Sequence, residues 1–125
     1  MAEALAVENN LIHMDGAAII RAVSRKLPQA IATVLERNGV AAQSVGIFLL
    51  HQANLNLIRK VAATLKVPDE RFFCNIEGYG NTSSASLLIA AAEWWSSAAT
   101  PLSAPVVLAA FGAGFNWGAV LALPV

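Results

Sequence analysis

The sequence predicts an α/β domain, and three observations predict it. Segments whose apolar residues recur at three- and four-residue steps alternate along the chain with short runs of strand formers. The C-terminus reads as two strands joined by a glycine-rich connection. A hydrophobic share of 57% over 125 residues fills one core of ordinary size, so a single domain is expected.

From Ala17 to Arg37, the residues Ile19, Val23, Leu27, Ala30, Ile31 and Val34 keep helical spacing, and Arg21, Arg25, Gln29 and Glu36 fall largely between them. This is an amphipathic helix. Pro28 lacks a backbone donor and should bend it near Ser24, giving one bent helix or two short ones, while Asn38 and Gly39 supply a left-handed stop. Val45 to Leu50 is a continuous apolar run and reads as a strand. Asn54 to Leu65 returns to helical spacing through Leu57, Ile58, Val61, Ala62 and Leu65, and Pro68 ends it.

Arg71 to Asn75 is a further strand candidate. The stretch "EGYGNTSSAS" gives a glycine turn followed by capping residues, so a third helix should begin near Thr82. Through "SSASLLIAAAEWW" that helix is apolar almost all round, as expected of a central helix packed on both sides. Val106 to Phe111 and Trp117 to Leu123 complete the chain as a hairpin around "GAGFN". The expected tally is three helices and about four strands.

A mean hydropathy of +0.58 with only 13% charged residues compares with about a quarter charged in ordinary soluble domains, so apolar surface needs a cover. The longest apolar stretches fall short of the roughly 18 to 20 residues that span a bilayer and read as core elements. "MAEALAVENN" has neither a basic start nor a long apolar middle, so it is not read as a secretory signal, and a cytoplasmic protein is expected. Eight basic and eight acidic residues cancel, which argues against nucleic acid as a main ligand. A single cysteine, Cys74, allows no internal disulfide, and with His13 and His51 it offers no metal cluster.

Among residues able to carry chemistry, His51 stands out in "LLHQANLN". It sits where a strand ends and a helix starts, the place where open α/β sheets present functional groups. Asn81 repeats the logic in "YGN", ahead of the third helix. The plainer readings are a packed histidine and an N-cap asparagine. Gly112, Gly114 and Gly118 could suggest a dinucleotide loop, but a strand rather than a helix follows, so the choice is between a tight hairpin and a close backbone approach to a ligand. Cys74 has no base identifiable beside it and reads as a buried structural thiol. His13 reads as a surface histidine.

"HQAN", "GYGNTSSAS" and "FGAGFNWG", in that order, make the chain similar to the C-terminal part of the 3-oxoacyl-acyl carrier protein synthase III (β-ketoacyl synthase III) enzymes of the thiolase superfamily. The resemblance runs from about Met14 to the C-terminus. It divides the chain into a leader or boundary segment, residues 1–13, and a C-terminal domain, residues 14–125. It implies the C-terminal half of a thiolase-like fold: a mixed sheet with packed helices, incomplete because the N-terminal half and a central first strand would lie upstream of Met1.

In that family a Cys-His-Asn triad takes its cysteine from the N-terminal half. His51 and Asn81 match the other two members. The resemblance implies two neutral hydrogen-bond donors aimed at a malonyl thioester, whose decarboxylation leaves an enolate oxygen with growing negative charge. Donors of this kind are worth about 3 to 4 kcal/mol each. Ala113 matches the position whose backbone N–H serves the oxyanion hole of the cysteine-bound intermediate. Asn54 and Ala53 fall in the pantetheine or coenzyme A site, and Ala17 and Ile20 stand where asparagine and phenylalanine commonly line the tunnel. Arg21 keeps a basic charge for docking a carrier protein, but Asn56 stands where familiar bacterial members have a docking arginine.

The implied reaction is decarboxylative condensation of an acyl group from acyl-CoA with a malonyl-carrier thioester, with no cofactor. The implied partners are acyl carrier protein, coenzyme A thioesters and an N-terminal thiolase half, in an enzyme that is a dimer when complete. No nucleophile segment of the family type occurs in the chain, so condensation by the chain alone is not expected. The alternative is a non-catalytic partner or assembly subunit that keeps the fold without turnover.

Overall fold

The computed structural model describes residues 5–8, 11–97 and 103–124. Two short strands, β1 (Leu5–Glu8) and β2 (Leu11–Met14), pair antiparallel with Leu5 opposite Met14. Both strands fall in or next to the leader or boundary segment, residues 1–13. Its residues 1–4, 9 and 10 lie outside the described residues, as does the side chain of His13, whose backbone pairs with Ala6.

Helix α1 (Gly16–Arg37) opens on Asp15, whose carboxylate accepts the Ala18 amide at 2.9 Å. Of the two forms expected around Pro28, the chain takes a single helix. Pro28 is buried between the core residues Leu27 and Ile31, so packing along the apolar stripe holds the two sides of the missing hydrogen bond together. Gly39, at φ +64°, ends the run as expected.

Strand β3 (Ile47–Leu50) follows, then α2 (Leu55–Leu65), which Asn54 caps by accepting the Leu57 amide at 3.2 Å. Strand β4 is only Phe72–Phe73, shorter than the span expected, because only Phe48 and Leu49 of β3 pair with it. A one-turn helix, α3 (Ile76–Tyr79), was not foreseen. The third long helix, α4 (Ser86–Ser97), starts later than Thr82. Residues Ser83–Ala85 first form a 3-10 turn entered through Ser83 at φ +56°, a backbone that cannot continue into an α-helix from Thr82. The chain ends in β5 (Val106–Gly112) and β6 (Asn116–Ala122), the hairpin expected.

These strands form one mixed sheet in the order β4-β3-β5-β6, with β3 parallel to both neighbours and β6 antiparallel to β5. The expectation of an absent central strand is corrected here. Phe48 pairs directly with Val107 and Leu49 with Leu108, which leaves no place between β3 and β5, and the open edges are β4 and β6.

On one face, α1 and α2 bury Val23, Leu27, Ile31 and Val61 against Phe48, Leu50, Val107 and Ala109, with Phe48 stacked on Phe72 at 4.6 Å. By strand alternation Leu49 and Leu108 point to the other face, where α4 packs on β3 and β5. Helix α4 buries only Ser86 and Ala90 there, while Leu88 is 69% and Trp95 60% exposed. The all-round apolar character read in the sequence is thus met by the sheet on one side and left uncovered on the other.

Candidate active site

Parallel strands β3 and β5 deliver their C-terminal ends to the same rim of the sheet, where open α/β folds place their sites. His51 is the first residue past β3. Its backbone amide donates to the Ala109 carbonyl at 2.9 Å, which extends the ladder and fixes where the imidazole starts. The next residue, Gln52, is 1% exposed and fully used: Nε2 donates to the Leu50 carbonyl at 2.9 Å and the Phe73 carbonyl at 3.1 Å, and Oε1 accepts the Asn75 amide at 3.1 Å. The ends of β3 and β4 are thereby tied together behind the histidine.

A cavity of about 460 Å³ opens at this rim. Its floor and walls come from His51, Ala53, Asn54 and Leu57 after β3, and from Phe111 to Phe115 at the β5–β6 turn. Met14, Gly16, Ile19 and Ile20 close a third side, with Asn81 and Ser83 on the loop before α4. Of the residues singled out from sequence, His51, Asn81, Ala113, Ala53, Asn54 and Ile20 meet in this one cavity. Ala17, Arg21 and Asn56 do not line it and are exposed.

The two side chains of greatest interest are held differently. His51 is half-buried, and loss of solvent holds its imidazole below the ordinary value of 6.5, so the ring is neutral in the neutral pH range. Phe111 packs edge-on against it at 5.0 Å, and Nδ1 is hydrogen-bonded to the Ser86 hydroxyl. Asn81 is exposed at the cavity mouth. Its Oδ1 accepts the Ser83 amide at 2.9 Å, which orients the group, and its Nδ2 donates to no group among the described residues. The N-cap reading of Asn81 is corrected: its side chain closes an Asx-type turn onto Ser83, and Thr82 holds the cap position of the 3-10 turn without a side-chain cap bond. Beside it, Thr82 Oγ1 is the buried side-chain polar atom without a partner among the described residues.

The turn of β5 and β6 is shaped by Gly114, at φ +129°, a backbone that side chains rarely adopt. Asn116 Nδ2 donates to the Ala113 carbonyl at 3.0 Å and pins the turn beside the cavity. The hairpin reading of these glycines is borne out, and two of them, Gly112 and Gly114, also line the cavity.

Cys74 corrects the expectation of a buried thiol. The residue is exposed, on a separate groove with Arg59, Asp69 and Glu77, although its thiol is desolvated enough to be pushed up, with the two carboxylates adding to the shift and Arg59 opposing it. It is neither near His51's cavity nor activated as a thiolate. Among the described residues no group of three or more His, Cys, Asp or Glu could hold a metal ion, and no helix is long and apolar enough to cross a membrane. Two polar residues behind the histidine, Gln52 and Ser86, had no assigned part in the sequence reading. For Ser86 the available signal is a hydroxyl at the head of an otherwise apolar helix.

Comparison with known proteins places these features in context. Residues 35–123 match the family described as 3-oxoacyl-[acyl-carrier-protein (ACP)] synthase III C terminal. The chain is 41% identical over 110 residues to the β-ketoacyl-[acyl-carrier-protein] synthase III of Oleidesulfovibrio alaskensis, covering 88% of this chain and 33% of that one. It is 41% identical over 111 residues to the synthase III of Gloeobacter violaceus, covering 89% and 34%. The crystal structure of the synthase III from Aquifex aeolicus superposes with a TM-score of 0.91 at 35% identity, over 99% of this chain and 40% of that one. The chain thus spans about a third of the length of the curated relatives it matches.

Proposed function

Because this chain belongs to the 3-oxoacyl-[acyl-carrier-protein] synthase III family and matches its C-terminal domain, we propose that it supplies the decarboxylating half of a condensing active site. The observation that carries this reading is the meeting of His51, Asn81 and Ala113 at one cavity on the C-terminal rim of parallel strands. The other half, an N-terminal thiolase unit in the same or a separate chain, brings a cysteine that is acylated from acyl-CoA.

A malonyl-carrier thioester then enters the cavity. Its terminal carboxylate leaves as carbon dioxide, and the bonding electrons pass into an enolate whose oxygen faces the imidazole N–H of His51 and the Nδ2 of Asn81. Both donors are neutral, so neither loses charge solvation as the oxyanion forms, and both are held in place before reaction. The enolate carbon attacks the acyl-cysteine carbonyl, the Ala113 N–H takes part in the second oxyanion hole, and the cysteine leaves as thiolate. Ala53, Asn54 and Ile20 face the pantetheine arm on this reading, while Ala17 stands outside the cavity and Arg21, exposed, offers the acyl carrier protein a positive charge. Asn56, neutral and exposed on the first turn of α2, contributes no charge to that contact.

The experiment is to combine the chain with a cysteine-bearing half and follow carbon dioxide release from malonyl carrier. His51→Ala or Asn81→Ala should slow release by roughly two to three orders of magnitude, with acylation of the cysteine affected less. Normal decarboxylation by both variants would leave the two residues structural and defeat the proposal.

A further inference from the structure

Ser86 heads α4 with its side chain turned away from solvent, 2% exposed, and its Oγ makes two contacts: it accepts the Gln52 amide at 3.1 Å, and it is bonded to His51 Nδ1. A hydroxyl owns one hydrogen and two acceptor sites. The Gln52 backbone N–H can only donate, so it occupies an acceptor site. A helical serine often gives its hydrogen to the carbonyl four residues back, but Ser86 Oγ makes no such bond among the described residues. The remaining partner for that hydrogen is His51 Nδ1.

We propose that Ser86 is a positioning residue that fixes His51 in the Nε2–H tautomer, donating its hydroxyl hydrogen to Nδ1 so that the ring's only N–H faces the cavity. Were the proton on Nδ1, both neighbours would donate to Oγ and the hydroxyl hydrogen would be stranded in a nearly dry place. Stranding a buried donor biases such an equilibrium by about tenfold or more. The tautomer is thus set from the helix side of the ring, through a residue that does not line the cavity. The catalytic value of this arrangement rests on the function proposed above, but the tautomer itself does not.

The chain carries two histidines, His13 and His51, so nitrogen-15 histidine labelling gives a spectrum that a His13→Gln variant assigns. It can be recorded on the chain alone or bound to an unlabelled cysteine-bearing half. In the wild type above the imidazole's titration, His51 should show Nε2 protonated and Nδ1 unprotonated. Ser86→Ala should move the Nδ1 signal toward the protonated position as the second tautomer becomes populated, and Ser86→Thr should restore it. In the combined enzyme Ser86→Ala should lower carbon dioxide release by about twofold, because losing a roughly tenfold bias takes the competent tautomer from about nine tenths of the population to about half, and Ser86→Thr should recover most of it. A proton on Nδ1 in the wild type overturns the proposal without any variant, and so does a Ser86→Ala spectrum identical to wild type. If the tautomer behaves as stated while His51→Ala decarboxylates normally, the inference stands and the proposed function falls.

Discussion

Replacing Leu88 by glutamate should weaken association with the N-terminal half proposed above while leaving the chain's own fold intact. Leu88 and Trp95 are seven residues apart on α4, and Ala85 and Ala92 complete an exposed apolar stripe on the side of the helix away from the sheet. Full burial of a leucine is worth about 1.5–3 kcal/mol, so covering the exposed 69% of Leu88 contributes about 1–2 kcal/mol. Trp95, 60% exposed, adds about 3 kcal/mol on roughly 200 Å² of ring surface. Together these approach a thousandfold in an association constant.

Glutamate keeps helix propensity close to that of leucine, so α4 should persist. A carboxylate in the covered stripe removes Leu88's share and must be desolvated, which weakens binding by tenfold at least. Sedimentation velocity at micromolar concentration, with the chain alone and with a cysteine-bearing half, makes the measurement. Wild-type chain alone should self-associate, helped by its zero net charge, and should form a defined complex with the half. Leu88→Glu should shift the free chain toward monomer and weaken the complex. A compact, reversible wild-type monomer that ignores the half, or a variant that binds as tightly as wild type, refutes the reasoning.

The proposed decarboxylation should depend on pH through His51. Burial lowers its titration below 6.5, so the rate should be level through neutrality and fall only below that value, while the stability from the neutral ring is present above pH 6.5 and lost as pH falls through the lowered titration; a limb centred above 6.5 in kcat contradicts this. Incubating the chain alone with acyl-CoA should give no stable thioester on Cys74, because its thiol is raised and stands apart from the cavity, and intact mass spectrometry showing a stoichiometric adduct would reverse that assignment. Gln52→Met keeps the length of the side chain but orphans the Leu50 and Phe73 carbonyls and the Asn75 amide. The last two are only half-buried, so the loss should be about 2–4 kcal/mol, read as a lower urea midpoint by tryptophan fluorescence, and a change under about 1 kcal/mol would mean that water replaces the amide.

What the sequence makes legible follows from periodicity and position. The stripe Val23, Leu27, Ile31 forecasts α1, the run to Leu50 forecasts β3, and the glycines around Ala113 forecast the hairpin, because each is written in spacing or in turn chemistry. The late start of α4 is set by one left-handed residue, Ser83, and by the Asn81 side chain, neither of which leaves a periodic trace. The strands Leu5–Glu8 and Leu11–Met14 are four residues each, too short for alternation to declare them. Cys74 reads as buried because its neighbours Phe72 and Phe73 are apolar, yet it lies just past the two-residue strand they form and so escapes the core. His51 and Asn81 were legible as residues at element junctions. Ser86 was not, since a buried serine bonded across 35 positions to a histidine has no local signature.

The bond from Gln52 to the Asn75 amide gives this corner a built-in gauge. That amide is protected by a side chain rather than by a ladder neighbour, and Asn75 Nδ2 in turn donates to Glu93 Oε2 of α4 at 2.7 Å. Asn75 lies outside the cavity lining, so a ligand there cannot shield it directly. Its hydrogen–deuterium exchange therefore reads how often β3, β4 and α4 part company behind the histidine. Slower exchange on adding a thioester or a partner half would register a stiffened site, whether or not any chemistry occurs.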